Sequence, residues 1–540
     1  MKPIALNKKI LLPIAGIALL GAAVGAQYSA PRQKIMMVEN AISRFYVDTV
    51  NEDKLVEDAI RGMLEGLDPH SSYSDPEETK EMNEPLAGNF SGIGISYNMA
   101  SDTLWVISTV SGGPSEKVGI MPGDRIIAVN DTVIAGVKMK TRDLQKRLRG
   151  PKGTDVDVKV LRSVNNRPDT INFTITRADI PIYSVDAAYM VDPATGYIRI
   201  NRFAADTSKE VREALAKLQK QGMKNLILDL TDNGGGYLNA AVELVSEFLP
   251  DESSVVFTEG TNSPRQDLRT HPRKGMPMFG DGRIAVMVNQ FSASASEITS
   301  GALQDWDRAV IVGRRTFGKG LVQRPIPLPD GSMVRLTIAH YYTPTGRDIQ
   351  KPYTKGDKEK YGKDLVDRLN SGELMHADSI HYADSLRVYT LNKGRTIYGG
   401  GGISPDKFVP LDTTANTKYY RNVMAKGLFN RFVMNYIDKN RKQLLKKYKN
   451  DDAFVKNFEI TPEMLADLKA MADKEGIEYN AEEAEKSLPL ARMQLKALIG
   501  RDLFDQATYF KVYNTWDPIF REALRVINSD EYDRLLEPLK

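Results

Sequence analysis

Three short apolar runs, at residues 226–230, 284–288 and 310–313, constrain the fold of this chain more than any other feature. They read LILDL, IAVMV and VIVG. Runs this short and this apolar are typical of parallel strands that are buried on both faces. The first two continue into small-residue segments, DNGGG and SASAS, that precede helical patterns. This order of strand, turn and helix predicts a layered α/β core.

Length and composition narrow the class of protein. A chain of 540 residues is too long for one ordinary core, which predicts several domains. With 41% hydrophobic and 26% charged residues it is globular, and a net charge of +3 gives no reason to expect nucleic acid as a partner. It has no cysteine, which excludes disulfides and thiol catalysis, and its five histidines are scattered. The sequence therefore predicts neither a metal site nor a cofactor.

The N-terminal sequence has the features of an export signal. Lys2, Lys8 and Lys9 precede an apolar stretch at residues 10–26. This stretch is near the lower length limit for crossing a bilayer, so a cleaved signal peptide and an uncleaved anchor are both open. We expect residues 1–30 to direct export, to the periplasm or to the outer face of the inner membrane.

Sequence patterns divide the rest of the chain into regions. Apolar residues recur at helical spacing within 32–68, and we predict an N-terminal helical segment over 32–85. Residues 86–178 contain short alternating runs separated by glycine turns, which predicts a β-rich domain. Residues 413–540 carry helical stripes, and the predicted structure there is all-helical.

Two polar stretches of the chain are expected to have structural and not functional roles. The segment 354–390 is polar and charged, so we expect a loop-rich insert. The basic run at 439–449 is interpreted as the solvated face of a helix and not as a binding site for nucleic acid or a membrane.

The window 289–323 carries the strongest chemical signal. It contains three closely spaced serines, Ser292, Ser294 and Ser296, followed by Lys319 in the sequence FGKG. A serine hydroxyl needs a base, and the only base nearby in the sequence is this lysine. A lysine can act as a base if burial lowers its pKa. On residue chemistry alone, the three serines are equal candidates for the nucleophile.

Seven motifs, in this order along the chain, resemble those of the carboxy-terminal processing peptidases, the tail-specific Ser–Lys proteases of family S41. The resemblance covers residues 35–410 approximately, and the set is far more specific than any one member. The motifs are LDPHSSY at 67–73, GIGI at 92–95, LTDNGGG at 230–236, SASASEI at 292–298, TFGKGLVQ at 316–323, YYTPTGRDIQKP at 341–352 and GGISPD at 401–406.

The resemblance implies a multidomain α/β protein. We expect a PDZ domain at 86–178, an α/β layered protease core of the crotonase-like or ClpP-like kind at 179–412, and a helical C-terminal domain at 413–540. PDZ domains bind an extended peptide as an added strand and hold its terminal carboxylate on backbone amides. Gly92, Ile93, Gly94 and Ile95 are the residues that would bind the peptide.

The resemblance also implies the catalytic residues. Ser294, the middle serine of SASASE, corresponds to the nucleophile and Lys319 to the base. Gln323 corresponds to the residue that orients the lysine. Ser292 and Ser296 are then structural hydroxyls.

An oxyanion hole has to stabilise the tetrahedral intermediate. The Ala295 amide at the helix start is one expected donor, and the resemblance implies a glycine amide of residues 233–236 as the second. We assign Gly235, with Gly236 as the next candidate. Glu297 is interpreted as a helix-capping acid and is left out of the catalytic set, because a nearby carboxylate would raise the lysine pKa.

Together, the motifs and the resemblance predict an exported serine endopeptidase that captures unstructured C-terminal tails and cleaves them through an acyl-enzyme. Its main alternative is a non-catalytic tail-binding scaffold on the same fold. A trypsin-like protease would need histidine and aspartate partners, and a carrier of hydrophobic ligands would lack the lysine of FGKG. The expected partners are proteins or peptides with exposed C-terminal tails; an adaptor protein and a homodimer formed through the helical termini are left open.

Overall fold

The computed structural model describes residues 29–100, 102–164, 167–271 and 277–538. The expected export signal at 1–30 lies almost wholly outside these ranges. Within them, no helix combines the length and apolar character needed to cross a membrane. The chain forms two compact units. The smaller consists of residues up to 76, 325–336 and 353–361, and the larger of 77–324, 337–352 and the residues from 362 onward.

The smaller unit begins with two helices, α1 (Ala30–Phe45) and α2 (Glu52–Glu65). Asn51 starts α2, since its side chain accepts a hydrogen bond from the Lys54 amide at 3.0 Å. Strand β1 (Ser72–Ser74) pairs antiparallel with residues 333–335. These helices confirm the helical pattern predicted within 32–68.

A small antiparallel β-domain follows α3 (Pro76–Ala87) in the larger unit. Its core is a cluster of apolar side chains that includes Leu104, Ile126, Leu144 and Val158. This arrangement agrees with the β-rich domain predicted there. Its elements are β2 (Asn89–Gly92), β3 (Ile95–Ala100), β4 (Thr103–Thr109), α4 (Pro114–Val118), β5 (Arg125–Val129), β6 (Thr132–Val133), α5 (Thr141–Leu148), β7 (Asp155–Val164), β8 (Arg167–Thr176) and β9 (Ala178–Pro181).

The layered core is built on one largely parallel sheet. Its first two strands are antiparallel to each other, and the others run parallel. The three apolar runs that predicted parallel strands are all in this sheet. In spatial order the strands are β10 (Val185–Met190), β11 (Thr195–Ile200), β12 (Asn225–Asp229), β15 (Ile284–Val288), β16 (Val310–Gly313) and β21 (Lys407–Phe408).

Helices α6 (Thr207–Lys220), α7 (Leu238–Val245) and α8 (Ala295–Asp305) cover one face of this sheet. Leu226 and Leu228 of β12 pack in the cluster on this face, whereas Ile227 packs in the cluster on the other face. Because neighbouring side chains of a strand point to opposite faces, a run that is apolar at every position is buried on both.

The remaining elements of this region lie between and after the core strands. The segment predicted to be a loop-rich insert at 354–390 contains a regular helix, α9, whose Arg368 is only 4% exposed. Sequence patterning missed this helix because part of its buried surface is charged. The elements are β13 (Ser254–Gly260), β14 (Ser263–Arg269), β17 (Leu321–Pro327), β18 (Met333–Tyr342), α9 (Lys358–Asn370), 3-10 helices at Ala377–Ser379 and Asp384–Leu386, β19 (Arg387–Tyr389) and β20 (Thr396–Tyr398).

Residues 413–538 contain helices and no strand, as predicted. Thr461 caps one of these helices, because its hydroxyl accepts from the Met464 amide. The first five share an apolar core, to which Val512 of the following helix also contributes. They are α10 (Lys418–Ala425), α11 (Leu428–Lys447), α12 (Asp451–Asn457), α13 (Pro462–Lys474) and α14 (Ala481–Leu503).

The last three helices pack differently. They are α15 (Gln506–Tyr513), α16 (Pro518–Ile527) and α17 (Glu531–Leu535). Phe510, Phe520 and Val526 pack with Tyr197 and Ile227 of the core sheet. These helices therefore cover the second face of the core sheet, although the sequence assigned them to a separate C-terminal domain beginning at residue 413.

Candidate active site

Ser294 lies at the sharp turn between β15 and α8. Its backbone has φ 56° and ψ −114°, a conformation that residues with a side chain rarely adopt. In α/β-hydrolases a strained strand-to-helix turn of this kind exposes the nucleophilic serine. Ser294 is partly exposed here, whereas Ser292 and Ser296 are fully buried. Of the three serines, Ser294 is thus the one that a substrate can reach.

Ser292 and Ser296 use their hydroxyls inside the protein. Ser292 Oγ donates to Leu230 O at 2.7 Å and accepts from the Asn289 amide at 3.0 Å. Ser296 Oγ donates to Asn233 O at 2.9 Å. Both hydroxyls tie the serine turn to the segment that follows β12, which is the structural role expected for them.

The glycine-rich segment 231–236 lies directly against the serine turn. A Cβ atom at Gly235 would be 2.8 Å from Ser294 Cβ and 2.9 Å from the Ala295 amide nitrogen. The φ of Gly235 is 96°. Only glycine combines this backbone conformation with so close an approach.

The two expected oxyanion donors, Gly235 and Ala295, are therefore neighbours of Ser294. The Gly235 amide donates to Asn233 Oδ1 at 2.8 Å. To serve an oxyanion, this amide has to share or release that hydrogen bond. The assignment of the pair remains a prediction, and Gly236 remains the next candidate.

Glu297 connects the two segments that carry the expected catalytic residues. Its Oε2 accepts from the amides of Ser294 at 2.8 Å and Lys319 at 2.9 Å. Its Oε1 accepts from the Gly318 amide at 2.7 Å and from Thr316 Oγ1 at 2.6 Å. The side chain is fully buried. Burial raises the pKa of Glu297, and the hydrogen bonds from Thr316 and the backbone amides oppose this shift.

This carboxylate is the feature of the site that sequence reasoning missed. The interpretation of Glu297 as a helix-capping acid is correct, since it accepts the Ser294 amide. Its bonds to the lysine loop, residues 316–319, join positions about twenty apart, and no local spacing signals them. The same oxygen accepts a hydrogen bond from each amide. The amide nitrogens of Ser294 and Lys319 therefore lie no farther apart than the sum of the two hydrogen-bond lengths.

Lys319 is half-buried and is separated from β17 by Gly320 alone. Its amide is held by Glu297, and its carbonyl accepts from the Tyr341 hydroxyl. Gln323 lies in β17, and its Nε2 donates to Leu321 O at 3.0 Å and to Thr337 Oγ1 at 3.4 Å. The backbone of the lysine loop is thus fixed on both sides of Lys319, while the catalytic roles of Lys319 and Gln323 remain predictions.

A buried ion pair between Arg199 and Asp229 holds the start of the glycine-rich segment in place. Arg199 donates to Asp229 Oδ2 at 2.6 Å, to Thr231 Oγ1 at 2.7 Å and to Thr231 O at 3.1 Å. The ring of Phe510 from α15 lies 4.6 Å from the centre of the guanidinium. The segment that leads to Gly235 is therefore held by an arginine that the C-terminal helices cover.

Asp517, the N-cap residue of α16, lies close to this cluster. Its side chain accepts from the Ile519 amide at 3.1 Å and is 6% exposed. Burial, with a smaller contribution from the charge of Asp229, raises the pKa of Asp517 from 3.8 to about 6.

We expect Asp517→Asn to raise the free energy of unfolding at pH 8 by about 1–3 kcal/mol. The folded state holds the Asp517 proton more tightly than the unfolded state, so the wild-type protein loses stability as pH rises from about 4 to about 6. Asparagine can still cap α16 and carries no charge. Urea denaturation between pH 4 and pH 8 measures the difference, which should disappear at the acid end.

The control for this prediction is Asp505→Asn. Asp505 is also an N-cap aspartate, accepting from the Thr508 amide at 2.8 Å, but it is exposed. This variant should show no comparable gain at pH 8. A gain of the same size in both variants would contradict burial as the cause.

The β-domain has a groove of about 530 Å³ between β3 and α5. The loop before β3 is held through its carbonyls, because Ile93 O accepts from Ser115 Oγ and Gly94 O accepts from the Val110 amide. The groove is lined by Phe90, Ile93, Gly94, Ile95, Ser96, Tyr97, Asn98, Met99, Thr141, Gln145, Leu148 and Arg149. Three of the four expected peptide-binding residues, Ile93, Gly94 and Ile95, are among them; Gly92 precedes them at the end of β2.

Within the described ranges, no three carboxylate or imidazole side chains converge in a way that would hold a metal ion. The buried carboxylate of Glu297 joins the backbones of a partly exposed serine, Ser294, and a half-buried lysine, Lys319.

Family models match the chain in the same order as these domains. Residues 194–360 match peptidase family S41, and residues 105–162 match a PDZ domain. Residues 22–79 match the N-terminal domain of the activating protease CtpB, and residues 419–505 match a family of unknown function.

Similar proteins have related names. The carboxy-terminal-processing protease of Bartonella bacilliformis is 33% identical over 357 residues, which are 64% of this chain and 80% of that protein. The carboxy-terminal processing protease CtpB of Bacillus subtilis is 34% identical over 359 residues, which are 65% of this chain and 72% of that protein. A solved photosystem II D1 C-terminal processing protease is 29% identical, with coverage of 60% of this chain and 91% of that one and a TM-score of 0.34.

The chain therefore belongs to peptidase family S41, among the carboxy-terminal processing proteases, and it carries a PDZ domain.

Proposed function

We propose that this protease is an exported serine endopeptidase that binds unstructured C-terminal tails in its PDZ groove and cleaves them with Ser294 and Lys319. The observation that carries the proposal is the Glu297 carboxylate, which joins the strained Ser294 turn to the Lys319 loop. The export part rests on the sequence of residues 1–28 alone.

The proposed chemistry has two halves. Ser294 Oγ attacks the scissile carbonyl while the neutral Lys319 amine takes its proton, and Gln323 orients that amine. The amides of Ala295 and Gly235 stabilise the oxyanion of the tetrahedral intermediate. Lys319 then gives the proton to the leaving amine, which produces the acyl-enzyme. Water hydrolyses the ester in the second half, with Lys319 again as the base.

The experiment that tests the function is digestion of an unfolded protein by the purified protein, beside its Ser294→Ala variant. Wild-type cleavage that the variant loses supports the proposal. Tail binding without cleavage by the wild-type protein would favour the non-catalytic scaffold.

We expect tail recognition to depend on the free carboxylate of the peptide. The carbonyls of Ile93 and Gly94 are engaged inside the protein, so the amides are the groups that this loop can offer a carboxylate. Amidating the terminus replaces charge-assisted hydrogen bonds by neutral ones, which should weaken binding by about tenfold. Calorimetry on the full-length Ser294→Ala variant, with paired acid and amide peptides that end in apolar residues, measures this.

A matched peptide with a polar last residue is the control for the apolar wall of the groove, and it should also bind more weakly. Equal affinity for the acid and the amide would mean that the domain reads internal segments and not chain ends.

A further inference from the structure

Helix α9 carries a buried arginine that bonds to the backbone at the start of the lysine loop. Arg368, in α9, is 4% exposed. Its Nη2 donates to Arg315 O at 2.7 Å and its Nη1 donates to Thr316 O at 3.1 Å. These two carbonyls directly precede Phe317, Gly318 and Lys319. One guanidinium thus fixes the entry to the loop that carries the expected base.

Glu373 fixes the orientation of that guanidinium. Its Oε1 accepts from Arg368 Nε at 2.7 Å and from Arg315 Nε at 2.9 Å. Its Oε2 accepts from Arg315 Nη2 at 2.7 Å. Charge-assisted bonds to a planar fork are strongly directional, so the pair of arginines and the carboxylate form a rigid unit.

Thr316 carries this constraint to the catalytic segments. Its carbonyl is held by Arg368, and its hydroxyl donates to Glu297 Oε1 at 2.6 Å. The other oxygen of Glu297 accepts the amides of Ser294 and Lys319. A continuous series of short hydrogen bonds therefore runs from α9 to both segments.

We propose that Arg368 and Glu373 are positioning residues that set the distance between the Lys319 loop and Ser294. The inference rests on the proposed Ser294–Lys319 chemistry. Both residues act through the backbone of residues 315 and 316 and through Glu297. A base that is displaced by about 1 Å can cost about a hundredfold in rate, so loosening this loop should reduce kcat strongly.

The first variant is Arg368→Lys. Lysine keeps the positive charge but replaces the fork by one ammonium group, which cannot hold two carbonyls and Glu373 together. We expect kcat to fall about 10–100-fold, while KM and the affinity for a tail peptide are unchanged. Glu373→Gln is the second variant, and it should act in the same direction because its amide NH₂ group faces guanidinium donors.

A readout independent of activity is hydrogen exchange of the amides of Gly318 and Lys319, which donate to Glu297. Mass spectrometry of the peptide that spans residues 314–321 should show faster exchange in Arg368→Lys than in the wild type. All variants are compared at a temperature at which circular dichroism shows them folded. If Arg368→Lys does not fold, Glu373→Gln takes its place in the comparison.

The matched control is Arg395→Lys. Arg395 is 6% exposed and donates to Asp307 Oδ1 at 2.6 Å and to Asp406 Oδ1 at 2.7 Å, at the end of α8 remote from Ser294. It is as buried and as well paired as Arg368, but its bonds do not lead to the lysine loop. This variant should keep kcat and the exchange rate of residues 314–321.

The outcomes separate the two proposals. Faster exchange and lower kcat in Arg368→Lys, with neither in Arg395→Lys, support the positioning role. Unchanged kcat, unchanged exchange, or an equal loss in both arginine variants overturns it. Hydrolysis that persists in Lys319→Ala would instead overturn the proposed function, whatever Arg368→Lys does.

Discussion

Ser294→Ala and Lys319→Ala should each lower kcat for peptide hydrolysis by at least about 10⁴-fold. Alanine at 294 removes the only one of the three serine hydroxyls that is open to substrate. Alanine at 319 removes the base and leaves a hydroxyl that is a poor nucleophile at neutral pH. Because the two groups act as one unit, the double variant should be no slower than either single variant. Steady-state kinetics on an unfolded substrate measures all three.

The controls are the neighbouring serines and Gln323. Ser292→Ala and Ser296→Ala remove hydroxyls that bond to the backbone. Each variant should lower the free energy of unfolding by about 1 kcal/mol and leave kcat nearly unchanged. Gln323→Ala should reduce kcat less than either dyad variant. If Ser292→Ala or Ser296→Ala were inactive while Ser294→Ala hydrolysed its substrate, the nucleophile would have been assigned wrongly.

Glu297→Gln should lower kcat by about 10²–10³-fold without unfolding the protein. Four donors converge on the two oxygens of Glu297. A glutamine side chain offers one oxygen and one NH₂ group, so either the Ser294 and Lys319 amides or the Gly318 amide would face another donor. Either the Ser294–Lys319 link or the attachment of Gly318 would be lost. The measurement is kcat for the same unfolded substrate.

Glu247→Gln provides a matched control, because Glu247 is 4% exposed and its carboxylate pairs with Arg212 of α6 at 2.6 Å. It should lose stability and keep kcat. Full activity in Glu297→Gln would contradict the linking role. Protonation of Glu297 should lower kcat as the Glu297→Gln substitution does. Burial raises the pKa of Glu297 above that of a free glutamate, so on acidification kcat should begin to fall at a higher pH than it would for an exposed glutamate.

Much of the fold follows from local sequence patterns. The apolar runs at 226–230, 284–288 and 310–313 became strands of one parallel sheet because only a strand buried on both faces needs every position to be apolar. The β-rich domain followed from period-two alternation and glycine turns. The helix that begins at Pro462 is capped by Thr461, and this capping chemistry is itself local.

The features that escaped prediction depend on contacts between distant residues. The prediction of an all-helical region at 413–540 includes the helices at 506–535 but did not indicate that their apolar faces meet the core sheet. In α9, the buried contact is made by the guanidinium of Arg368, which a hydrophobic pattern cannot reveal. The motifs predict Ser294 and Lys319 as the catalytic pair, but the carboxylate that joins their backbones is visible only once the two turns are brought together.

The second layer of the protease core comes from the last helices of the chain, α15 to α17, and this affects how the protein is made. Tyr197, Ile227 and Met287 of the sheet are covered by side chains from residues 510–536. A chain emerging from the ribosome has to be synthesised past residue 536 before that face is closed. Ser294 and Lys319 are synthesised long before this, on a sheet that still lacks one layer. A nascent copy is itself an unfolded polypeptide, the kind of substrate proposed for this protease. The late closure therefore separates the synthesis of the proposed catalytic residues in time from the completion of the layers that cover the sheet.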